Sequence, residues 1–145
     1  MEKKYFALLI EDNLICQRFQ KALLEANGFQ VDVTNTARQA IEKLNQMEEQ
    51  LHHITYDVIF VDFVLPDLYG DHVVNIIRRT TKCGEAFNEK VIIVAVTAYA
   101  TEKTKNKLYK SGVDHIIEKP ILQSDLKHPI FKKAYKNKKE QVIEC

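Results

Sequence analysis

The stretch YDVIFV at residues 56–61, closed by Asp62, decides the fold. Apart from Asp57 it is unbroken apolar sequence, and it does not alternate. A strand with one face in water alternates apolar with polar side chains. A strand covered on both faces has no need to, and that is the condition of an interior strand in a parallel sheet. Two runs of the same kind lie on either side, YFALLI at residues 5–10 and VIIVAV at residues 91–96. A shorter one, HII at residues 115–117, leads into Glu118, Lys119 and Pro120. QVDVT at residues 30–34 does alternate, which suits the edge of the sheet.

Between these runs the apolar period lengthens to that of a helix. Ile15, Phe19, Ala22, Leu23 and Ala26 form one stripe, with Asn13 placed as an N-cap and Gly28 just past the end. Ala37, Ala40, Ile41, Leu44, Met47 and Leu51 form a second stripe, and Val73, Val74, Ile76 and Ile77 mark a third, short helix. Residues 101–111 (TEKTKNKLYKS) are nearly all polar, with Leu108 and Tyr109 the main apolar anchors. A helix so weakly anchored is expected to be the mobile one. The last segment, from Ser124, carries Pro129 early, so its helix either starts late or has a distorted first turn. Strand and helix alternating five times predicts a right-handed, doubly wound α/β fold with a five-stranded parallel sheet and five helices.

At 145 residues the chain fits one domain, since domains typically run to roughly 100–200 residues. A domain unit over 1–128 is expected, with 129–145 forming the end of the last helix and a basic tail (KKAYKNKKEQ from residue 132) that reads as a solvated face. Lys+Arg 21 against Asp+Glu 20 leaves a formal net charge of +1, so no global field recruits nucleic acid and no direct nucleic-acid contact is expected. Cys16, Cys83 and Cys145 are far apart and show no CxxC or Cys/His ligand spacing, which reads as reduced thiols in a cytoplasmic protein. The first apolar run is too short for a signal-peptide core or a membrane span, so no membrane contact is expected. His52 and His53 read as loop residues.

Ligands of open α/β sheets bind at the carboxyl ends of the strands. Glu11 and Asp12 follow the first run, Asp62 ends the third, Thr97 ends the fourth, and Lys119 and Pro120 follow the fifth. Every strand end but the second carries a polar functional group. Clustered carboxylates repel unless a hard, oxygen-preferring cation sits among them, and Mg²⁺ suits one or two carboxylates plus waters and phosphate. Catalysis of phosphoryl transfer is mainly positioning and charge neutralisation. A cation on one side and Lys119 on the other supply that, Asp62 can serve as the nucleophile, and Thr97 can hydrogen-bond a phosphoryl oxygen. The plainer readings are that Asp12 only caps the first helix, Thr97 is structural and Lys119 is a solvated charge.

EDN at residues 11–13, the run ending in Asp62 followed by LP-x-x-x-G at residues 65–70, TA at 97–98 and KP at 119–120 together resemble the receiver domains of two-component signalling. The resemblance covers roughly residues 5–126. It implies a flavodoxin-like strand order of 2-1-3-4-5. It also implies Asp62 as phosphoacceptor, Mg²⁺ held by Glu11, Asp12, Asp62 and the Val64 backbone carbonyl, Thr97 as the switch hydroxyl, and Lys119 paired with acceptor or phosphate. The implied function is a phosphorelay acceptor that takes its phosphoryl group from phosphohistidine and promotes its own phosphorylation and dephosphorylation. The implied partner is a histidine kinase or histidine phosphotransfer domain, with a weak or phosphorylation-dependent dimer allowed. The family's usual cis bond would fall at Pro120.

One departure stands out. The family's rotating aromatic lies three residues before the lysine, and that position here is Ile116. Receivers of hybrid sensor kinases resemble the chain in this, and the starting Met with no output domain fits either a free-standing receiver or one excised from a hybrid kinase. Phe63, Val64 and Tyr99 are large and apolar beside the expected acceptor, which suggests that they screen a phosphoaspartate from water. The Ile116 departure keeps open a phosphorylation-independent interaction module. An aspartyl phosphatase would need a second acid where Val64 stands, and a flavin-binding relative would need a Ser/Thr/Gly-rich loop where Glu11 and Asp12 stand.

Overall fold

The computed structural model describes residues 5–51, 56–79 and 91–133. His52, His53, Cys83, Cys145 and most of the basic tail lie outside the described residues. The chain runs β1 (Tyr5–Ile10), α1 (Leu14–Ala26), β2 (Phe29–Thr34), α2 (Ala37–Leu51), β3 (Val58–Asp62), α3 (Gly70–Arg79), β4 (Ile92–Thr97), α4 (Glu102–Ser111) and β5 (His115–Glu118). A 3₁₀ turn follows at Gln123–Lys127, and a last helix begins at Ile130. The strands form one sheet in the order β2-β1-β3-β4-β5, and every pairing is parallel.

Period two within the strands divides the core. Leu8, Ile10, Ile59, Val61, Ile93 and Ala95 face one way and pack with Ala37, Ala40 and Leu44 of α2, Val73, Val74 and Ile77 of α3, and Leu108 of α4. Ala7, Leu9, Val58, Phe60, Ile92, Val94 and Val96 face the other way, against Leu24 of α1 and Phe131 of the last helix. Phe60 stacks on Phe131 with centroids 6.0 Å apart, and Phe29 meets both edge-on. Strands β3 and β4 are buried along their whole length, as their unalternating sequence requires.

α1 does not turn its apolar stripe inward. Ile15 is 79% and Phe19 57% exposed, and the buried residues are Gln17, Gln20 and Leu24. The Gln17 amide donates to the Glu11 carbonyl and to Asn35 Oδ1, and these bonds fix the rotation of the helix about its axis. The apolar spacing gives the helical period, and a buried polar side chain sets its phase. The ends follow expectation, with Asn13 Oδ1 accepting from the Cys16 N–H at 3.0 Å and Gly28 at φ +90° past the last turn.

α4 buries Leu108 and leaves Tyr109 half exposed. Thr101 caps it, accepting from the Thr104 N–H at 3.2 Å. Arg78 at the end of α3 ties the bottom of this side together. It donates to the Gly112 and Val91 carbonyls and to Asp114 Oδ2, which also accepts from the Ile93 N–H. The last helix starts late, because Pro129 suits a first helical turn, and His128 Nδ1 accepts from the Ile130 N–H at 3.1 Å.

Candidate functional site

The carboxyl ends of β1, β3, β4 and β5 bring Glu11, Asp12, Asp62, Thr97 and Lys119 to one edge of the sheet. Oxygens of Glu11, Asp12 and Asp62 all lie within 4.8 Å of one another. Glu11 and Asp62 are buried and Asp12 is exposed. Lys119 Nζ donates to Asp62 Oδ2 at 3.0 Å and also to Glu11 Oε1 at 2.7 Å, so one ammonium faces two carboxylates. The Lys119–Pro120 bond is cis.

Burial pushes the Asp62 carboxyl up to about 7, the neighbouring Glu11 carboxyl pushes the same way, and Lys119 opposes both. Lys119 itself is burdened by burial, but its hydrogen bonds to Glu11 and Asp62 outweigh that and raise it. Glu11 Oε2 is buried and accepts no hydrogen bond. An orphaned buried carboxylate oxygen, beside two more carboxylates and one ammonium, is a hard-oxygen set short of positive charge. Such a set fits Mg²⁺.

Thr97 is buried, and its Oγ1 accepts from the Tyr99 N–H at 2.9 Å, a turn that sets the direction of the following loop. Val64, two residues past Asp62, donates its N–H to Asp62 Oδ1 at 3.3 Å and bridges to Tyr69. Gly70 closes this loop with its N–H on the Phe63 carbonyl at 2.6 Å. A Cβ there would stand 2.6 Å from the Asp62 carbonyl oxygen, which explains the glycine. Val64, two residues past Asp62, is 44% and Tyr99, two past Thr97, 63% exposed. Ile116 is half-buried and packs on the core shared with α2, α3 and α4.

The sequence did not reveal Gln17, Asn35 or Asp67. Gln17 holds the Glu11 backbone from inside α1. Asp67 reaches from the β3–α3 loop to the start of α2, accepting from the Ala37 N–H at 3.0 Å and the Arg38 N–H at 2.9 Å. A carboxylate three residues before a helix-opening glycine gave no sign of capping another helix. Cys16 also lies near the pocket; burial and the Glu11 carboxylate push its thiol up, which opposes nucleophilic reactivity.

The profile of the response regulator receiver domain matches residues 7–131. The chain belongs to that family. This receiver domain is 32% identical over 134 residues to hybrid signal transduction histidine kinase L of Dictyostelium discoideum, an alignment covering 92% of the chain and 7% of the relative. It is 33% identical over 114 residues to hybrid signal transduction histidine kinase I of the same organism, covering 79% of the chain and 6% of the relative. The receiver thus spans a small fraction of those proteins. Among solved structures, the receiver domain of a sensor histidine kinase from Pseudomonas aeruginosa, which carries a magnesium ion in its active site cleft, superposes with a TM-score of 0.74 at 24% identity, covering 92% of this chain and 99% of that one. A receiver domain from Methylobacillus flagellatus gives 0.71 at 26% identity, covering 91% and 99%. The fold is that of the receivers, with the strand order expected from the motifs.

Proposed function

We propose that this receiver accepts a phosphoryl group on Asp62 from a phosphohistidine donor, with Mg²⁺ held by Glu11, Asp12, Asp62 and the Val64 carbonyl. The observation that carries the reading is the buried Asp62 carboxylate, clustered with Glu11 and Asp12 and held by Lys119 at 3.0 Å. A bound Mg²⁺ would neutralise charge among the carboxylates and on the phosphoryl oxygens. Asp62, positioned by β3, attacks the phosphorus through a carboxylate oxygen. The P–O bond forms as the P–N bond breaks, and the departing imidazole nitrogen keeps the bonding pair and takes a proton from solvent. Lys119 turns toward the phosphoryl oxygens as negative charge builds there. The Thr97 hydroxyl donates to one of them, giving up its present role toward Tyr99, and the loop after β4 moves with it.

Leu14, Ile15 and Phe19 on α1, with Leu122 beyond Lys119 and Pro120, are exposed apolar side chains on segments that follow site residues. This surface supports docking of a histidine kinase or histidine phosphotransfer domain. A cytoplasmic setting, and a parent chain of the hybrid kinase type, follow from the same reading. Among the described residues no helix is long and apolar enough to cross a membrane. The packing of Ile116 in place of a rotating aromatic favours one competing reading, a module that binds its partner irrespective of phosphate.

Mixing the receiver with a radiolabelled phosphohistidine phosphotransfer domain tests the proposal. Label should move to the receiver with Mg²⁺ and remain on the donor with excess chelator. Absence of transfer to wild type, or equal transfer to Asp62→Asn, leaves the binding module as the better reading.

A further inference from the structure

We propose that Asp67 is a positioning residue for the acidic pocket, holding the β3–α3 loop against α2 so that the Val64 carbonyl stays in register with Asp62. The inference rests on the magnesium reading of Glu11, Asp12 and Asp62. Its starting point is the corner at residues 34–38, the one strand end with no chemistry of its own. Both carboxylate-bearing loops are fastened to it. On one side the Glu11 N–H donates to the Thr34 carbonyl at 3.0 Å, and Gln17 joins the Glu11 carbonyl to Asn35. On the other side Asp67 spans the α2 terminus with both oxygens, Oδ1 on the Ala37 N–H and Oδ2 on the Arg38 N–H.

α2 has capping contacts of its own besides the two that Asp67 makes. Thr36 Oγ1 accepts from the Gln39 N–H at 3.1 Å, and Gln39 Oε1 accepts from the Asn35 N–H at 2.8 Å, a reciprocal capping pair within the helix's own segment. What Asp67 adds is a charge-assisted tie between segments 30 residues apart. Among the other hydrogen bonds described in this loop, the Phe63 N–H donates to the Val96 carbonyl at 3.4 Å and holds its start on β4, while Gly70 to Phe63, Val64 to Asp62 and the Val64–Tyr69 bridge close it on itself. Buried Leu65 roots it in the core. Among the described residues Asp67 is the polar side chain that fastens its outer half to α2, and a ligand carbonyl on a loop free to swing binds its cation more weakly.

Magnesium titration without phosphodonor, read by amide NMR shifts, tests this on wild type, Asp67→Ala, Asp67→Asn and Gln39→Ala, with melting temperatures in parallel. Asp67→Ala should weaken Mg²⁺ binding by about tenfold. Asp67→Asn keeps one accepting oxygen and should fall between. Gln39→Ala removes the Asn35 tie at the same corner while leaving Asp67 and both its partners in place, so it should melt earlier yet weaken Mg²⁺ binding less than Asp67→Ala. If Asp67→Ala does not fold, Asp67→Asn decides alone, a wild-type dissociation constant counting against the proposal. An Asp67→Ala protein that melts early but binds Mg²⁺ like wild type reduces Asp67 to a helix cap. Wild type that binds no Mg²⁺ overturns the metal reading as well, so the two failures are distinguishable.

Discussion

Burial at the end of an apolar strand opposes the charge that the proposed nucleophilic role of Asp62 requires, and the Glu11 carboxylate opposes it too. Lys119 offsets part of this by facing both acids. Three carboxylates against one ammonium leave the pocket short of positive charge, which is the condition for recruiting a cation. Val64 and Tyr99, each two residues past a site residue and both substantially exposed, are the proposed apolar rim that would limit how water lines up on an acyl phosphate. Replacing the rim by Val64→Asn with Tyr99→Glu should shorten the phosphorylated lifetime roughly tenfold, about 1.4 kcal/mol of barrier, measured by decay of label after donor removal. An unchanged or longer lifetime would show that the rim does not shield the bond. Asp62, Glu11 and Lys119 were legible in the sequence because each interrupts or ends an apolar run, where a charge calls for a reason. The Lys119–Glu11 contact joins residues 108 apart, and no local pattern encodes such a meeting.

At the scale of elements, α1 separates what periodicity determines from what it leaves open. The spacing of Ile15, Phe19, Ala22, Leu23 and Ala26 specified a helix with a correct cap and a correct end. It did not specify which side faces the sheet, because Gln17 has partners in the buried Glu11 and in Asn35 that outweigh the loss of Ile15 and Phe19 from the core. A Gln reads as surface until its partners are known. The exposed stripe then becomes available to a partner. Ile15→Lys with Phe19→Lys should slow phosphotransfer from a protein donor by roughly tenfold or more while leaving labelling by acetyl phosphate and the melting temperature near wild type. Equal losses with both donors would place these residues in the fold or the pocket instead. β3 and β4, by contrast, were legible to within one or two residues at their ends, since a strand covered on both faces leaves no phase to choose.

Across the whole molecule, the parallel sheet delivers every strand's carboxyl end to the same edge, so four distant sequence positions meet there by topology alone. The opposite side of β5 shows a different use of charge. Burial holds His115 below the ordinary histidine value, the stacked His128 ring 4.0 Å away adds to this, and Asp125 opposes it. The unfolded chain protonates His115 near about 6.5 and the folded chain only at lower pH, so over that window the unfolded state takes up more protons. Stability from this site is therefore full above about pH 6.5 and declines as pH falls below it. Asp62, raised in the folded state, works in the opposite direction over an overlapping range, so the melting temperature of His115→Gln should be compared with wild type at each pH. The variant should lose less stability on acidification; parallel curves would remove His115 from the balance.

The phosphoacceptor role of Asp62 is tested most directly by chemical mapping of the modified residue. Receiver phosphorylated by a phosphohistidine donor in Mg²⁺ is reduced with borohydride, which converts an aspartyl phosphate to homoserine, and is then digested and sequenced by mass spectrometry. Homoserine at position 62 in wild type, and none in Asp62→Asn or after chelation, is the expected result. Homoserine at another acid, or an unmodified position 62 after full exposure to the donor, would contradict it.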